Sequence, residues 1–236
     1  MDQSNSKLVR DQFKANKISW KNSSLYGLSI DHNHQPIPWF SYPAIDYLKN
    51  KLQKNFKIFE YGCGSSSLFF SQYCQKVISL ETNQIWFQVL CEKITKQYNF
   101  IQESPITKTL ITSSAQQSSF AKTPLNIPTK KFKKNTHELE IILMDNGLQN
   151  PNYQNYVNLF KEKFDIILID SLKRYQCAIN VINALNHGGI IILDDSQRSN
   201  YQKIFDFFKN NNFQKIDFLG IAPGQLSIKN TTIFFQ

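Results

Sequence analysis

From Phe56 onward, short apolar runs alternate with longer amphipathic segments, and no other feature limits the possible folds as strongly. Almost wholly apolar runs are typical of strands buried on both faces, whereas the segments between them repeat their apolar residues with a helical period. Strands that alternate with helices form a parallel sheet covered on both sides, so the pattern predicts a doubly wound α/β fold. We predict seven strands, at residues 57–61, 76–81, 139–144, 164–169, 189–193, 215–219 and 231–235. The helical patterns cover residues 65–75, 83–98, 151–162, 174–186 and 200–211.

Two segments fall outside this alternation. Residues 1–40 are polar and are predicted to form an amino-terminal extension to one domain at 41–236. Residues 103–137 are rich in Ser, Thr, Pro and Lys, and a segment of this kind inside a domain is usually a functional loop, a small subdomain or a disordered insertion. We predict a mobile insertion. The bases of these segments are Lys7, Arg10, Lys14, Lys17 and Lys21 in the extension, and Lys130, Lys131, Lys133 and Lys134 in the insertion.

The net charge of +9 over 236 residues raises the possibility of a nucleic-acid or anionic-membrane partner, although a solvated basic surface explains it more simply. No apolar run approaches the roughly 18 residues that a membrane span needs, and the first residues lack the apolar core of a signal peptide. The four cysteines form no CxxC pair, which argues against a structural zinc site. We therefore expect a soluble, cytoplasmic protein without a membrane partner.

The clearest motif follows the first predicted strand and reads EYGCGSSS. Its glycines allow a tight turn and a close approach to a ligand, and its serines can cap the next helix or donate hydrogen bonds. The carboxyl edge of a parallel sheet is where such folds hold their ligands, so the motif predicts a cofactor loop, with an ordinary strand-to-helix turn as the alternative. The candidate residues of this loop are Glu60, Gly62, Cys63, Gly64, Ser65, Ser66 and Ser67.

Glu81 closes the second predicted strand. An acid in this position can accept hydrogen bonds from both hydroxyls of a ribose, and its charge disfavours a 2′-phosphate, so an unphosphorylated adenosyl ligand is indicated. The alternative is an exposed acid near the positive end of the next helix. A dehydrogenase loop would have a third glycine where Ser67 stands and no acid at Glu60, which disfavours a nicotinamide cofactor.

These residues resemble the class I S-adenosylmethionine-dependent methyltransferases, whose first motif is an acid, a spacer and G-x-G. The resemblance covers residues 40–236 and includes the segments FDIILIDS and HGGIIILDDS. It implies S-adenosylmethionine as the cofactor, a Rossmann-like sheet and an antiparallel last strand. It also implies that Glu60 lies near the ammonium group of the methionine part, that Glu81 binds the ribose, and that Asp170 lies beside the sulfonium and the substrate.

A narrower likeness links the chain to bacterial methyltransferases that carry PW-x-x-YPAI and E-Y-G-x-G-x-S segments, here at 38–45 and 60–67. Ser171 stands where that group has a glycine. Asp170, Lys173 and Arg174 are the candidate catalytic residues, because they follow the fourth predicted strand at its carboxyl end; helix capping is the alternative for Asp170.

Two smaller sites are also predicted. Trp39 and Tyr42 are expected to form an aromatic wall over the cofactor or to pack in the core, and Asp145 is a candidate contact to the adenine.

Asp170, Asp194 and Asp195 form a possible metal site, because acids at the tips of neighbouring strands would converge and could hold Mg²⁺. With Lys173, their spacing resembles the catechol-type O-methyltransferases. Capping of the turn that follows the fifth strand is the favoured alternative, and no metal is expected.

The sequence therefore predicts an S-adenosylmethionine-dependent methyltransferase with a small-molecule or sugar-like acceptor. Three alternatives stay open: a Mg²⁺-dependent enzyme of the catechol type, a nucleic-acid methyltransferase, and a non-catalytic adenosyl-binding scaffold.

Overall fold

One mixed sheet organises the computed structural model, which describes residues 3–98, 101–102, 128–144 and 149–236. Within these residues the sheet has nine strands rather than the seven predicted, in the order β3-β4-β5-β2-β1-β6-β7-β9-β8. The strands are β1 (Lys57–Tyr61), β2 (Lys76–Glu81), β3 (Ile101–Gln102), β4 (Thr129–Lys134), β5 (His137–Leu143), β6 (Phe164–Ile169), β7 (Leu185–Leu193), β8 (Gln214–Ile221) and β9 (Ile228–Phe235).

The five central strands, β5, β2, β1, β6 and β7, are parallel. Side chains that alternate along β1 enter two separate cores: Ile58 belongs to one hydrophobic cluster and Phe59 to the other, and both are fully buried. Burial on both faces explains why the central residues of these strands are mostly apolar. The doubly wound α/β class is confirmed, and β9 runs antiparallel to both β7 and β8.

Two additional strands account for the difference in strand number. β4 pairs antiparallel with β5, and the short β3 pairs with β4. Phe132 of β4 lies opposite Leu139 and is buried, whereas its neighbours in sequence are lysines. Lysine-rich strands are common near sheet edges, where they discourage pairing with other chains. Residues 129–137 of the predicted insertion therefore belong to the sheet, and residues 103–127 lie outside the described part of the chain.

The helices cover both faces of the sheet, but two of the predicted helices are wrong in extent. Residues 151–162 contain only a short 3-10 helix at Tyr156–Leu159, because the Asn150 side chain accepts the backbone N–H of Asn152 and forms a turn instead. The pattern at 174–186 gives a helix of five residues. The α-helices are α1 (Gln3–Ala15), α2 (Lys17–Tyr26), α3 (Tyr42–Lys51), α4 (Ser65–Tyr73), α5 (Gln84–Tyr98), α6 (Arg174–Ala178) and α7 (Gln202–Asn210).

The amino-terminal segment packs against the sheet. Gln12 of α1 accepts the backbone N–H of Ile221 at 2.8 Å and donates to the carbonyl oxygen of Leu219 at 3.3 Å, so it continues the hydrogen bonding of the outer strand β8. Phe13 and Trp20 pack against one of the two hydrophobic cores. The two helices therefore share a core with the sheet. None of the described helices is long and apolar enough to cross a membrane.

Candidate functional site

A cavity of about 590 Å³ lies at the carboxyl ends of β1, β2 and β6. This is the sheet edge at which the sequence motifs were predicted to converge. Its wall combines the loop after β1, the start of α5, the segment after β6 and the turn before α7. The lining residues are Gly62, Cys63, Ser66, Leu80, Glu81, Thr82, Asn83, Trp86, Tyr153, Leu168, Asp170, Ser171, Leu172, Arg174, Arg198, Asn200 and Tyr201.

The tips of β1 and β6 meet at Gly62. This glycine has φ +101°, and a Cβ atom there would overlap the carbonyl oxygen of Asp170. The backbone N–H of Asp170 also donates to the carbonyl oxygen of Tyr61 at 3.1 Å. Because only glycine tolerates both the angle and the close approach, Gly62 allows the loop and Asp170 to line one cavity.

Glu60 lies beneath this loop and does not line the cavity. Its Oε2 accepts the hydroxyls of Ser67 at 2.5 Å and Ser79 at 2.8 Å, and Ser67 also accepts the backbone N–H of Gly64. Oε1 has no hydrogen-bond partner within the described residues. Complete burial raises the pKa of Glu60 to about 7, although the hydroxyls of Ser67, Ser79 and Ser66 lower it in part. Glu60 therefore supports the loop from below, which differs from the cofactor contact that the resemblance implied.

Glu81 joins the end of β2 to the loop. Its Oε2 accepts the backbone N–H of Cys63 at 3.3 Å and the thiol at 3.2 Å. Its Oε1 accepts the backbone N–H groups of Thr82 at 2.6 Å and Asn83 at 2.7 Å. The carboxylate is thus held in one orientation at the cavity wall, where the sequence analysis predicted a ribose-binding acid.

Trp86 on α5 closes this side of the cavity. Its indole N–H donates to the carbonyl oxygen of Cys63 at 2.8 Å, and Asn83 accepts the Trp86 backbone N–H at 2.9 Å. Burial and the neighbouring Glu81 raise the pKa of the Cys63 thiol well above its usual range. Cys63 is therefore held as a neutral thiol and has the character of a structural residue rather than a nucleophile.

On the opposite side, Arg174 connects two cavity residues. It forms an ion pair with Asp170, and its Nη1 donates to the Tyr201 hydroxyl at 2.8 Å. Burial alone would lower the pKa of Arg174, but Asp170 and Tyr201 together raise it. The guanidinium thus remains charged and fixes the relative positions of Asp170 and Tyr201.

Behind this pair, Lys229 of β9 lies between the two acids that follow β7. Its Nζ lies 2.6 Å from Asp194 and 2.9 Å from Asp195, and it also donates to the carbonyl oxygen of Trp39 at 2.8 Å. Asp195 is further paired with Arg198 at 2.5 Å. All three ammonium protons therefore have an acceptor.

The predicted metal site does not form as a cluster of acids. Among the described residues, no group of three or more His, Cys, Asp or Glu side chains is arranged to hold a metal ion. Asp170 faces Arg174, whereas Asp194 and Asp195 face Lys229. These cations already provide the positive charge that Mg²⁺ would bring, so the donor set does not fit the metal.

Several predicted residues lie away from the cavity. Ser65 begins α4 and Lys173 precedes α6, and neither lines the cavity. Trp39 and Tyr42 do not line the cavity: the Trp39 indole N–H donates to the carbonyl oxygen of Pro223, and Tyr42 is buried, in line with the packing alternative. Gly64 and Ser67 also lie outside the wall, and Asp145 lies outside the described residues.

Among the residues of this region that sequence reasoning missed, three make contacts across the site. Tyr153 and Tyr201 line the cavity, and Lys229 neutralises the acids behind it. Tyr153 lies in a segment interpreted as a helix, and Lys229 precedes the predicted start of the last strand. No local motif marks any of the three, because each acquires its partners only when distant segments meet.

Comparisons by sequence reveal no relative, since no family model and no curated protein matches the chain. Solved structures do match. A methyltransferase-like protein from Silicibacter pomeroyi has a TM-score of 0.53 at 16% identity and covers 86% of this chain and 89% of its own. An O-methyltransferase from Bacillus cereus, in complex with SAH, has a TM-score of 0.50 at 14% identity and covers 100% of this chain and 91% of its own. The chain thus has the α/β Rossmann-like fold of these methyltransferases.

Replacement of Gly62 by alanine tests the contact between the strand tips. We expect Gly62→Ala to lower the free energy of unfolding by about 3 kcal/mol, because the new methyl group adds a clash to an unfavourable φ. Gly27→Ala is the matched control, since Gly27 has φ +59° but nothing within 4 Å of the added Cβ; it should cost about 1 kcal/mol. Urea unfolding measures both, and equal losses would contradict the proposed overlap.

The buried Glu60 carboxyl should make stability depend on pH. Its pKa of about 7 lies above the ordinary 4.5, so the folded chain keeps a proton that the unfolded chain releases. Stability should therefore fall as pH rises through this window, by up to about 3 kcal/mol from this group. Burial also raises the pKa of Asp194, so the informative quantity is the difference between wild type and Glu60→Gln. The slope should become shallower in Glu60→Gln and stay unchanged in Glu92→Gln, an exposed control; parallel curves for all three proteins would refute the assignment.

Proposed function

We propose that the protein transfers a methyl group from S-adenosylmethionine to a small-molecule or sugar-like acceptor. The observation that carries this proposal is the position of the Glu81 carboxylate and the Gly62 loop on one wall of a cavity whose other wall holds Asp170 and Arg174. The fold shared with methyltransferases supports it, because this sheet edge is the ligand-binding edge of such folds.

The cavity residues fit this cofactor. The Glu81 carboxylate is held by the backbone N–H groups of Cys63, Thr82 and Asn83. Its fourth donor is the Cys63 thiol, a weak donor that a ribose hydroxyl would displace. Trp86 and Asn83 at the start of α5 would flank the adenine, and the Gly62 loop would lie along the methionine part. The bound cofactor would supply a methyl group on a positively charged sulfur, open to in-line displacement.

The acceptor would lie on the Asp170 side. Methyl transfer needs an aligned acceptor and few catalytic groups, so residues with fixed positions matter more than strong bases. Arg174 holds Asp170 and Tyr201, and the Tyr201 hydroxyl accepts from Arg174, so its own proton is available to an acceptor oxygen. Asn200 and Arg198 at the rim add polar contacts that suit a hydroxyl-rich molecule.

The alternatives receive less support from the residues present. The pairing of Asp194 and Asp195 with Lys229 disfavours the Mg²⁺-dependent mechanism. The cavity wall holds two acids, Glu81 and Asp170, beside two arginines, Arg174 and Arg198, and this balance of charge gives no basic surface for a polyanion such as a nucleic acid. A non-catalytic scaffold would use the same adenosyl site and differs only in the lack of transfer.

Calorimetry with S-adenosylhomocysteine tests the cofactor site. We expect measurable binding by the wild type and a loss of about 100-fold in affinity in Glu81→Ala, because the ribose would lose its hydrogen bond to a charged carboxylate and the loop would lose the acceptor of the Cys63 N–H. Glu92→Ala, which removes an exposed acid from α5, should bind like the wild type. Absence of binding, or equal affinity in all three proteins, would overturn the proposal.

Incubation with S-adenosylmethionine labelled in its methyl group, together with fractionated cell extract, tests the reaction. Label should appear in the small-molecule fraction and should persist in the presence of a chelator. Tyr201→Phe should bind the cofactor normally but transfer label at least tenfold more slowly, because the acceptor loses a hydrogen-bond donor. Label in nucleic acid, loss of transfer with chelator, or binding without any transfer would each favour one of the three alternatives instead.

A further inference from the structure

The two amino-terminal helices present a row of five basic residues to solvent. Lys7, Arg10, Lys14, Lys17 and Lys21 are all exposed. None of them makes an ion pair within the part of the chain that the structure describes. Their spacing alternates between three and four residues, which keeps them on one face of a helix.

The row continues across the break between the helices. The backbone N–H of Asn16 donates to the carbonyl oxygen of Gln12, and Asn16 in turn accepts the N–H of Trp20, so the helical hydrogen bonding is kept on both sides of the break. With a rise of 1.5 Å per residue, the bases extend over about 21 Å. On the opposite face Ser19 and Ser23 are buried, and Phe13 and Trp20, at the side of the row, pack against the core.

Large apolar side chains are exposed beside these bases. Ile18, Leu25 and Tyr26 of α2 are 63%, 69% and 60% exposed. Ile18 and Leu25 stand four residues after Lys14 and Lys21, and therefore lie next to them on the helix face. A surface kept only for solubility would have no need of large aliphatic side chains among its lysines.

This surface lies at the same sheet edge as the cavity. β8 runs parallel to β7 and β6, because both β7 and β8 are antiparallel to β9, so the loop after β8 is at the carboxyl edge. Trp20 of α2 donates to the carbonyl oxygen of Gln225 in that loop at 3.0 Å. β8 is three strands from β6, or about 14 Å. Leu172, 80% exposed, and Ile85, 75% exposed, occupy this edge after β6 and β2.

We propose that α1 and α2 dock on an anionic lipid surface and turn the mouth of the cavity toward it. A lipid interface accommodates both components of the surface, since lysines and arginines bind anionic headgroups while Ile18, Leu25 and Leu172 enter the boundary with the acyl chains. The phosphate backbone of a nucleic acid would bind the lysine and arginine side chains of this row. It offers no apolar partner to the aliphatic side chains beside them. The expectation of no membrane partner rested on the lack of a spanning segment, which does not bear on surface binding.

Sedimentation of the full chain with lipid vesicles tests this docking, at low and at higher salt. The probes are vesicles of phosphatidylcholine alone and vesicles that also contain about 30 mol% phosphatidylglycerol. Binding should require the anionic lipid and weaken with salt. Each base near the surface contributes about fivefold in affinity, so Lys14→Glu/Lys17→Glu/Lys21→Glu should bind at least 100-fold more weakly. Ile18→Ser/Leu25→Ser keeps every charge and should bind about tenfold more weakly.

The matched control is Lys49→Glu/Lys54→Glu/Lys209→Glu, which changes the net charge equally at exposed positions near the opposite sheet edge. It should bind vesicles like the wild type, and circular dichroism verifies that each variant is folded. S-adenosylhomocysteine binding should be the same in every variant, which separates this proposal from the proposed function. The proposal would be overturned if the protein did not bind anionic vesicles, or if the control variant lost as much affinity as the variant of α1 and α2. It would also be overturned if Ile18→Ser/Leu25→Ser bound vesicles like the wild type and the protein bound a single-stranded oligonucleotide more tightly than vesicles.

Discussion

The contact between Gly62 and the Asp170 carbonyl group positions the rest of the site. It brings the tips of β1 and β6 so close that no side chain fits between them. The loop after β1 is thereby directed toward Glu81, which binds its backbone at Cys63, and Asp170 is directed toward Arg174. The two walls of the cavity are therefore coupled through one backbone contact, and a change in either strand tip would alter both.

Buried acids near the cavity are stabilised in two different ways. Glu60 accepts serine hydroxyls, among them those of Ser67 and Ser79, which offset only part of the rise in pKa that its burial causes. Asp194 and Asp195 share the ammonium group of Lys229 instead. The first arrangement supports a loop without adding a full charge beneath it, and the second fixes the end of β7 against β9. Burial of a carboxylate is costly in either case unless such partners are present.

The local hydrophobic pattern predicted secondary structure well for strands that are buried on both faces, and less well elsewhere. The apolar runs predicted Lys57–Tyr61, Lys76–Glu81 and Phe164–Ile169 to the residue, because a strand covered on both faces is apolar over most of its length. The lysine-rich Thr129–Lys134 was interpreted as part of an insertion, since a strand toward the edge buries little more than Phe132. The turn around Asn150 was interpreted as helical because its apolar spacing resembles an amphipathic helix.

The sequence by itself determined the five central parallel strands and the acids at two of their tips, Glu81 and Asp170, because polar residues at the end of a buried strand must emerge at the sheet edge. Only the tertiary structure decided what those acids contact. Tyr201 and Lys229 join them from the turn before α7 and from the last strand, and Glu60 turns under the loop rather than toward the cavity. Such contacts join residues that are far apart in the chain, and therefore the local periodicity of the sequence does not predict them.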